Sequence, residues 1–301
     1  MISVIMPTYN RFKITEETIQ KVLEIKTDIP FELIVVNDGE ELPFSISHSK
    51  LQIFKNPKKG VSHARNYGAS LSKYPILFFI DDDMWTTGRS LEIIIEFYQK
   101  GFLDNYYFNL NWVYPESLQH KLANSKIGRY ILYSKYHTLE GRSFIKVDYT
   151  KPIVEHRGVG SCSFCILKDI FNKIEGYNEI IDFEGEDIDI AKRLADNNIF
   201  PKLATEITCY HNQQDRLEID GYLDRKYRGN LSQAKVGMLY LPKSKQYFYT
   251  LFIPFYSIFK FLFKITPNKQ SFDKISFRLI GILSSLSYVM AIRNIRNDAK
   301  N

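Results

Sequence analysis

Ile76-Leu77-Phe78-Phe79-Ile80-Asp81-Asp82-Asp83 is an apolar run that passes without a break into three adjacent carboxylates. Five apolar residues with no polar alternation read as a strand buried on both faces, as in the interior of a parallel sheet. Ligands of open α/β sheets sit beyond the carboxyl ends of the strands, so Asp81, Asp82 and Asp83 are expected to project into the binding crevice. Three neighbouring anions repel one another, and a hard divalent cation with oxygen ligands, Mn²⁺ or Mg²⁺, would relieve that repulsion. Capping of the next helix accounts for one carboxylate at most, so the cluster is a candidate site.

Outward from this strand, apolar runs alternate with helical patterns. Ser3 to Pro7 reads as a strand, and Thr15 to Ile25 as a helix with Ile19, Val22 and Leu23 on its apolar face and Glu16 and Glu17 in its first turn. Glu32 to Asn37 is a second buried strand, Leu51 to Phe54 a shorter third, and Val61 to Ser72 a helix. The alternation predicts an α/β fold with a doubly wound, mostly parallel sheet flanked by helices. A dinucleotide-binding fold alternates in the same way. Here, however, Pro7-Thr8-Tyr9-Asn10-Arg11 follows the first strand and no G-x-G-x-x-G is present.

With 301 residues the chain can bury one sizeable core plus an appendage. Three cysteines give no disulfide framework and suit a reducing compartment. Met1 to Met6 lacks the basic start and long apolar core of a secretory leader, so a cytoplasmic amino terminus is expected. Charge divides the chain: residues 1–212 carry 25 Lys and Arg against 28 Asp and Glu, whereas residues 213–301 carry 15 against 6. An acidic catalytic body at 1–212 and a basic helical extension at 213–301 follow, and an acidic body makes a poor nucleic-acid binder.

Five ordered stretches resemble the family 2 inverting glycosyltransferases of the GT-A fold. They are Ser-Val-Ile-Met-Pro-Thr-Tyr-Asn-Arg at 3–11, Glu-Leu-Ile-Val-Val-Asn-Asp-Gly at 32–39, Gly-Val-Ser-His-Ala-Arg-Asn-Tyr-Gly at 60–68, the aspartates at 81–83, and Glu-Gly-Glu-Asp-Ile-Asp-Ile-Ala-Lys-Arg-Leu at 184–194. The resemblance implies a nucleotide-sugar donor, UDP-linked by preference, with Pro7, Thr8, Tyr9, Arg11, Asp38, Arg65, Asp81 and Asp82 about the nucleotide. A base needs an aromatic wall and a polar reader of its edge, which Tyr9 and Asp38 can supply. Glu40 departs from the family pattern, where a small hydroxyl residue is more usual. Arg65 matches a position whose guanidinium is directed toward the acidic site. Asp83, with Asp81, is the expected metal ligand, and Trp85 and Glu186 lie in the acceptor or sugar vicinity.

A second chemical centre follows about a hundred residues later. Gly160 to Leu167 reads as a strand, and an acidic loop leads to Glu186-Asp187, with Asp187 opening a helix from Ile188 to Asp196. A carboxylate in a first helical turn is kept ionised by the backbone N–H groups, as a general base requires, so Asp187 is the candidate base. The resulting reaction is inverting transfer of a sugar to a hydroxyl on a glycan or lipid-linked glycan. A polyprenyl-phosphate sugar synthase and a nucleotidyltransferase of related topology are the alternatives. His211 follows a short apolar and β-branched run, and the resemblance implies that a His near this place completes the metal shell or touches the diphosphate. Cys162, Cys165, Cys209 and His211 could instead form a zinc set, although regular strand geometry puts Cys162 and Cys165 on opposite faces.

The basic extension holds two apolar stretches. Tyr247 to Phe263 has nine aromatics in 17 residues with Pro254 and Lys260 inside it, and Leu279 to Ile292 is bounded by Arg278 and Arg293. Both fall short of a comfortable, uncharged spanning helix. Aromatic segments rimmed by Lys and Arg suit the surface of an anionic membrane, so residues 247–293 are expected to place the protein peripherally on the inner face of the cell membrane. Packing on the catalytic core or within a dimer is the alternative.

Overall fold

The computed structural model describes residues 1–134, 147–156, 159–160, 162–181, 183–214, 217–235 and 242–298. Ser161, within the strand expected at 160–167, lies outside the described residues. In chain order the elements are β1 (Ile2–Thr8), α1 (Phe12–Leu23), β2 (Phe31–Asn37), β3 (Leu51–Lys55), α2 (Val61–Leu71), β4 (Ile76–Ile80), β5 (Met84–Thr86), α3 (Gly88–Gln99), β6 (Tyr106–Val113), α4 (Glu116–Ala123) and α5 (Lys126–Ser134). There follow β7 (Ile153–Glu155), β8 (Ser163–Leu167), α6 (Lys168–Lys173), α7 (Glu186–Asp196), β9 (Phe200–His211), α8 (Ile219–Lys235), α9 (Lys243–Thr250), α10 (Tyr256–Ile265) and α11 (Asp273–Asp298).

One mixed sheet runs in the order β3-β2-β1-β4-β8-β6-β9-β5, with β7 on β9. Its first four strands are parallel to one another. Every residue of β1, β2 and β4 is buried, which is why these segments are predominantly apolar in sequence; the polar pair within them, Ser3 and Glu32, is hydrogen-bonded across the two strands. Beyond β4 the sheet turns antiparallel at β8, and β9 restores a parallel pair with β6. The chain leaves β1 in opposite directions toward β2 and β4, so the switch point of the sheet lies between β1 and β4. Such a point opens a crevice at the carboxyl ends of the two strands. Phe79, Phe164, Phe171 and Tyr177 stack beneath it, with ring centroids 5.1–6.4 Å apart.

Two compact units are distinguished. The first comprises residues 1–115, 138–182 and 186–212, and the second 116–137, 183–185 and 213–301. The second therefore takes in α4 and α5, which lie inside the acidic body as divided by charge. Its core joins Ile127, Ile219, Leu223, Phe263, Leu279, Ile280 and Leu283. Arg129 holds Asp273 at 2.8 Å within the same unit. Helix 270–295 is long and apolar enough to cross a membrane, and 44% of its apolar window is buried in the structure. The two apolar stretches of the extension consequently differ: Ile280, Leu283, Leu286 and Val289 are buried, whereas much of 247–265 is exposed. Part of the apolar surface of α11 is thus taken up within its own unit, which leaves less of 279–292 than of 247–265 free for any other surface.

Candidate active site

Thr8 ends β1 and Asp81 follows β4, so the two strand tips stand side by side at the switch point. Thr8 donates its hydroxyl to Asp82 Oδ2 at 2.8 Å and lies 2.7 Å from the Thr15 hydroxyl. Arg11, at the entry to α1, spreads its guanidinium over two carboxylates, Nη1 on Asp82 and Nη2 on Asp83 Oδ2 at 2.8 Å. Asp83 is fully buried, and its other oxygen is 3.3 Å from His211 Nε2. That meeting is fixed by the backbone: β5 pairs with β9 so that Met84 faces His211, and the Asn212 N–H donates to Asp83 O at 2.8 Å. Trp112 packs edge-on against the imidazole, with centroids 4.9 Å apart.

Burial raises the Asp82 carboxyl above its ordinary range; Arg11 opposes this and the neighbouring Asp83 reinforces it. The site thus attracts positive charge, and one guanidinium already serves two of its anions. Asp81 faces another way. Arg65, on α2 and 3% exposed, places Nη2 3.0 Å from Asp81 Oδ1 and Nη1 2.8 Å from Glu186 Oε1. Burial disfavours the Arg65 charge, but Tyr177, Glu186 and Asp81 around it more than compensate and hold the guanidinium protonated. Glu186 Oε2 is buried with no hydrogen-bond partner among the described residues. Helix α7 begins at Glu186, two residues before the expected start at Ile188, so Asp187 sits in the first turn next to the residue Arg65 grips. Asp187 is half-buried and accepts from the Ile188 N–H at 2.9 Å.

The loop after β2 is tied to the same region. Asp38 accepts the Gly60 N–H with both oxygens at 3.1 Å and the Asn56 amide at 2.6 Å, fixing the start of α2. Gly60 adopts φ 125°, which only glycine takes without strain. Asn10 accepts from the Glu40 N–H at 2.7 Å, and a Cβ on Gly39 would run into the Asn10 side chain. Glu40 thus contributes its backbone at this loop. Tyr9 is 41% exposed with the Lys59 ammonium 5.8 Å from its ring, and Pro7 is buried in β1. Trp85 stacks on Tyr210 at 5.6 Å.

Residues 3–167 match the family described as Glycosyl transferase family 2. The chain belongs to that family. An uncharacterised glycosyltransferase of Rickettsia bellii is 28% identical over 158 residues, 50% of this chain and 21% of that protein. The poly(ribitol-phosphate) beta-N-acetylglucosaminyltransferase TarP of Staphylococcus aureus is 36% identical over 100 residues, 30% of this chain and 31% of TarP. Each match spans less than a third of the relative's length. Among solved structures, a mannosyltransferase of Pyrobaculum calidifontis in complex with GDP-Man and Mn²⁺ aligns over 99% of this chain and 75% of its own, at 13% identity and a TM-score of 0.50. The fold is GT-A, as the resemblance implied.

In this family 2 chain the sulfur-based zinc set is not assembled. Among the described residues no three His, Cys, Asp or Glu side chains are arranged to hold one ion. Burial raises the thiols of Cys165 and Cys209, the latter to about 12, which opposes thiolate formation. Asp81, Asp83 and His211 do not form such a group of three either; the two donors that do meet at the strand tip are the Asp83 carboxylate and the His211 imidazole. Thr15 and Trp112 were missed in the sequence. Thr15 lies four residues after Arg11 in an amphipathic helix, a position with no chemical signature, and Trp112 sits in a strand whose apolar run is broken by Asn109 and Asn111.

Proposed function

We propose that the protein is an inverting glycosyltransferase that moves a sugar from a nucleotide donor, UDP-linked by preference, to a hydroxyl on a glycan or lipid-linked glycan. The observation that carries this reading is Arg65. Its guanidinium joins Asp81 at the tip of β4 to Glu186 at the start of α7, so the acidic strand end and the helix bearing Asp187 belong to one buried network.

In this reading Tyr9 and Asp38 flank the base, and Thr8 and Arg11 keep Asp82 oriented beneath the nucleotide. Asp83 and His211, with Asp81 nearby, would hold a divalent cation, whose charge would stabilise the departing diphosphate. Asp83 and His211 would supply the oxygen and imidazole donors for such a cation, a pair that suits Mn²⁺ or Mg²⁺. Glu186 Oε2, buried without a partner among the described residues, is suited to accept a hydrogen bond from a sugar hydroxyl. Asp187 takes the proton of the acceptor hydroxyl as its oxygen attacks the anomeric carbon from the face opposite the diphosphate. The C–O bond to the diphosphate breaks, and configuration inverts.

The basic extension would hold the protein at the inner surface of the cell membrane, where a lipid-linked acceptor is presented. A panel of UDP-sugars assayed with Mn²⁺ tests the transfer chemistry. UDP release that is abolished by a chelator and restored by Mn²⁺ is expected. Pyrophosphate release from a nucleoside triphosphate would identify a nucleotidyltransferase instead.

A further inference from the structure

Within the second unit, Phe248, Leu251, Phe255, Ile258, Phe261 and Ile265 are 48–71% exposed. Their spacing of three or four residues is that of one helical face, and it persists from α9 through the turn at Ile253–Phe255 into α10, which are bent by 45°. The opposite side of α10 is already occupied: Phe263 is buried, and Tyr256 and Phe259 pack on the core of the unit. Helix α10 is therefore apolar on two sides, and among the described residues only one of them has a partner. A continuous exposed stripe of large apolar residues marks an interaction surface.

The charge around the stripe identifies what covers it. Residues 242–278 contain seven Lys and Arg and one acid, Asp273, which is engaged by Arg129. Lys245, Lys269, Lys274 and Arg278 are exposed. Two copies meeting through a two-fold would bring this basic rim against itself, which argues against self-association. Helices α9 and α10 together are long and apolar enough for a broken span, but the 45° bend between them and the packing of Tyr256, Phe259 and Phe263 on the core of the unit favour a surface placement, since one side of α10 is already covered by protein. We infer that α9 and α10 lie in the plane of an anionic phospholipid bilayer, with the stripe from Phe248 to Ile265 inserted among the acyl chains and the surrounding lysines on the headgroup phosphates.

This rests on the membrane-surface reading given above and assigns the contact to one face. It is tested by co-sedimentation of the full chain with phosphatidylglycerol-rich and with pure phosphatidylcholine vesicles, for the wild type and for the triple variant Phe255→Ser, Ile258→Ser, Phe261→Ser. A second variant, Lys269→Glu with Lys274→Glu, keeps the stripe and alters only the rim. The wild type is expected to bind the anionic vesicles, at least about tenfold more weakly as salt rises from low to physiological concentration. The triple variant should lose at least about tenfold in partitioning while keeping its thermal midpoint, and the charge variant should lose its preference for phosphatidylglycerol. No vesicle binding by the wild type would overturn the membrane reading as a whole. Unchanged binding by the triple variant would overturn the assignment to this face alone. A wild-type dimer converted to monomer by the triple variant would show that a second copy covers the stripe.

Discussion

The tips of β1 and β4 and the stripe on α9 and α10 solve opposite problems. At the strand tips, four carboxylates and two guanidinia are largely withdrawn from water, and Arg11 and Arg65 each bridge two acids. Along the stripe, large apolar side chains stand in water although the opposite side of the same helix is packed. Both are costly in an isolated chain. Buried charge is tolerated only when paired, and exposed apolar surface only when something else covers it. The contrast teaches that the first region pairs its charges within the chain, whereas the second leaves an apolar face without a partner among the described residues.

The largest effect expected from breaking the first region is kinetic. Asp187→Asn should lower transfer by about a hundredfold to ten-thousandfold while donor binding, measured by calorimetry with UDP and Mn²⁺, stays near wild type. Next comes Arg65→Met, which leaves Asp81 and Glu186 without their shared cation. Urea unfolding should show a loss of about 3–5 kcal/mol, and Arg65→Lys should recover only part of it, because an ammonium lacks the planar fork. Thr8→Val removes the hydroxyl that Asp82 and Thr15 share, and about 1–3 kcal/mol of stability should go with it.

A smaller effect concerns pH. The folded Asp82 carboxyl is raised above its unfolded value by burial, so the folded protein holds this proton more tightly than the unfolded chain. Its contribution to stability is full below the unfolded value of about 4 and is lost as pH rises through the raised folded value. Thermal melts of the wild type should therefore fall relative to Asp82→Asn across that interval. The smallest effect belongs to the second region. Phe261→Ser should change folding stability by no more than about 0.5 kcal/mol, since its ring is 60% exposed and the same change matters only for partitioning onto vesicles.

The sequence was most legible where both faces of an element are buried. Ile76–Ile80 is a continuous apolar run, and Ile2–Thr8 and Phe31–Asn37 hold long apolar stretches interrupted by Ser3 and Glu32, so these strands and the carboxylates after β2 and β4 could be placed without coordinates. Strand β6 was not legible, because buried Asn109 interrupts its pattern to accept the Gly160 N–H at 2.7 Å. The bridge from Arg65 to Glu186 joins residues 121 apart, and no local pattern encodes such a contact. Arg11 reads in sequence as a nucleotide ligand, yet its guanidinium lies on Asp82 and Asp83, a pairing visible only once β1 and β4 are neighbours. In the extension, 247–263 and 279–292 have the same apolar, basic-flanked composition. Composition cannot reveal that the second is largely buried while the first keeps one face exposed, since that depends on which side of each helix the rest of the unit occupies.

Anomalous diffraction at the manganese edge, from crystals grown with UDP and Mn²⁺, tests the central claim most directly. The account predicts a single strong peak within coordination distance of Asp83, with the diphosphate on its far side and the Asp187 carboxylate facing the space a sugar would fill. A peak remote from Asp83, or a diphosphate bound where Asp187 cannot reach the anomeric position, would contradict it.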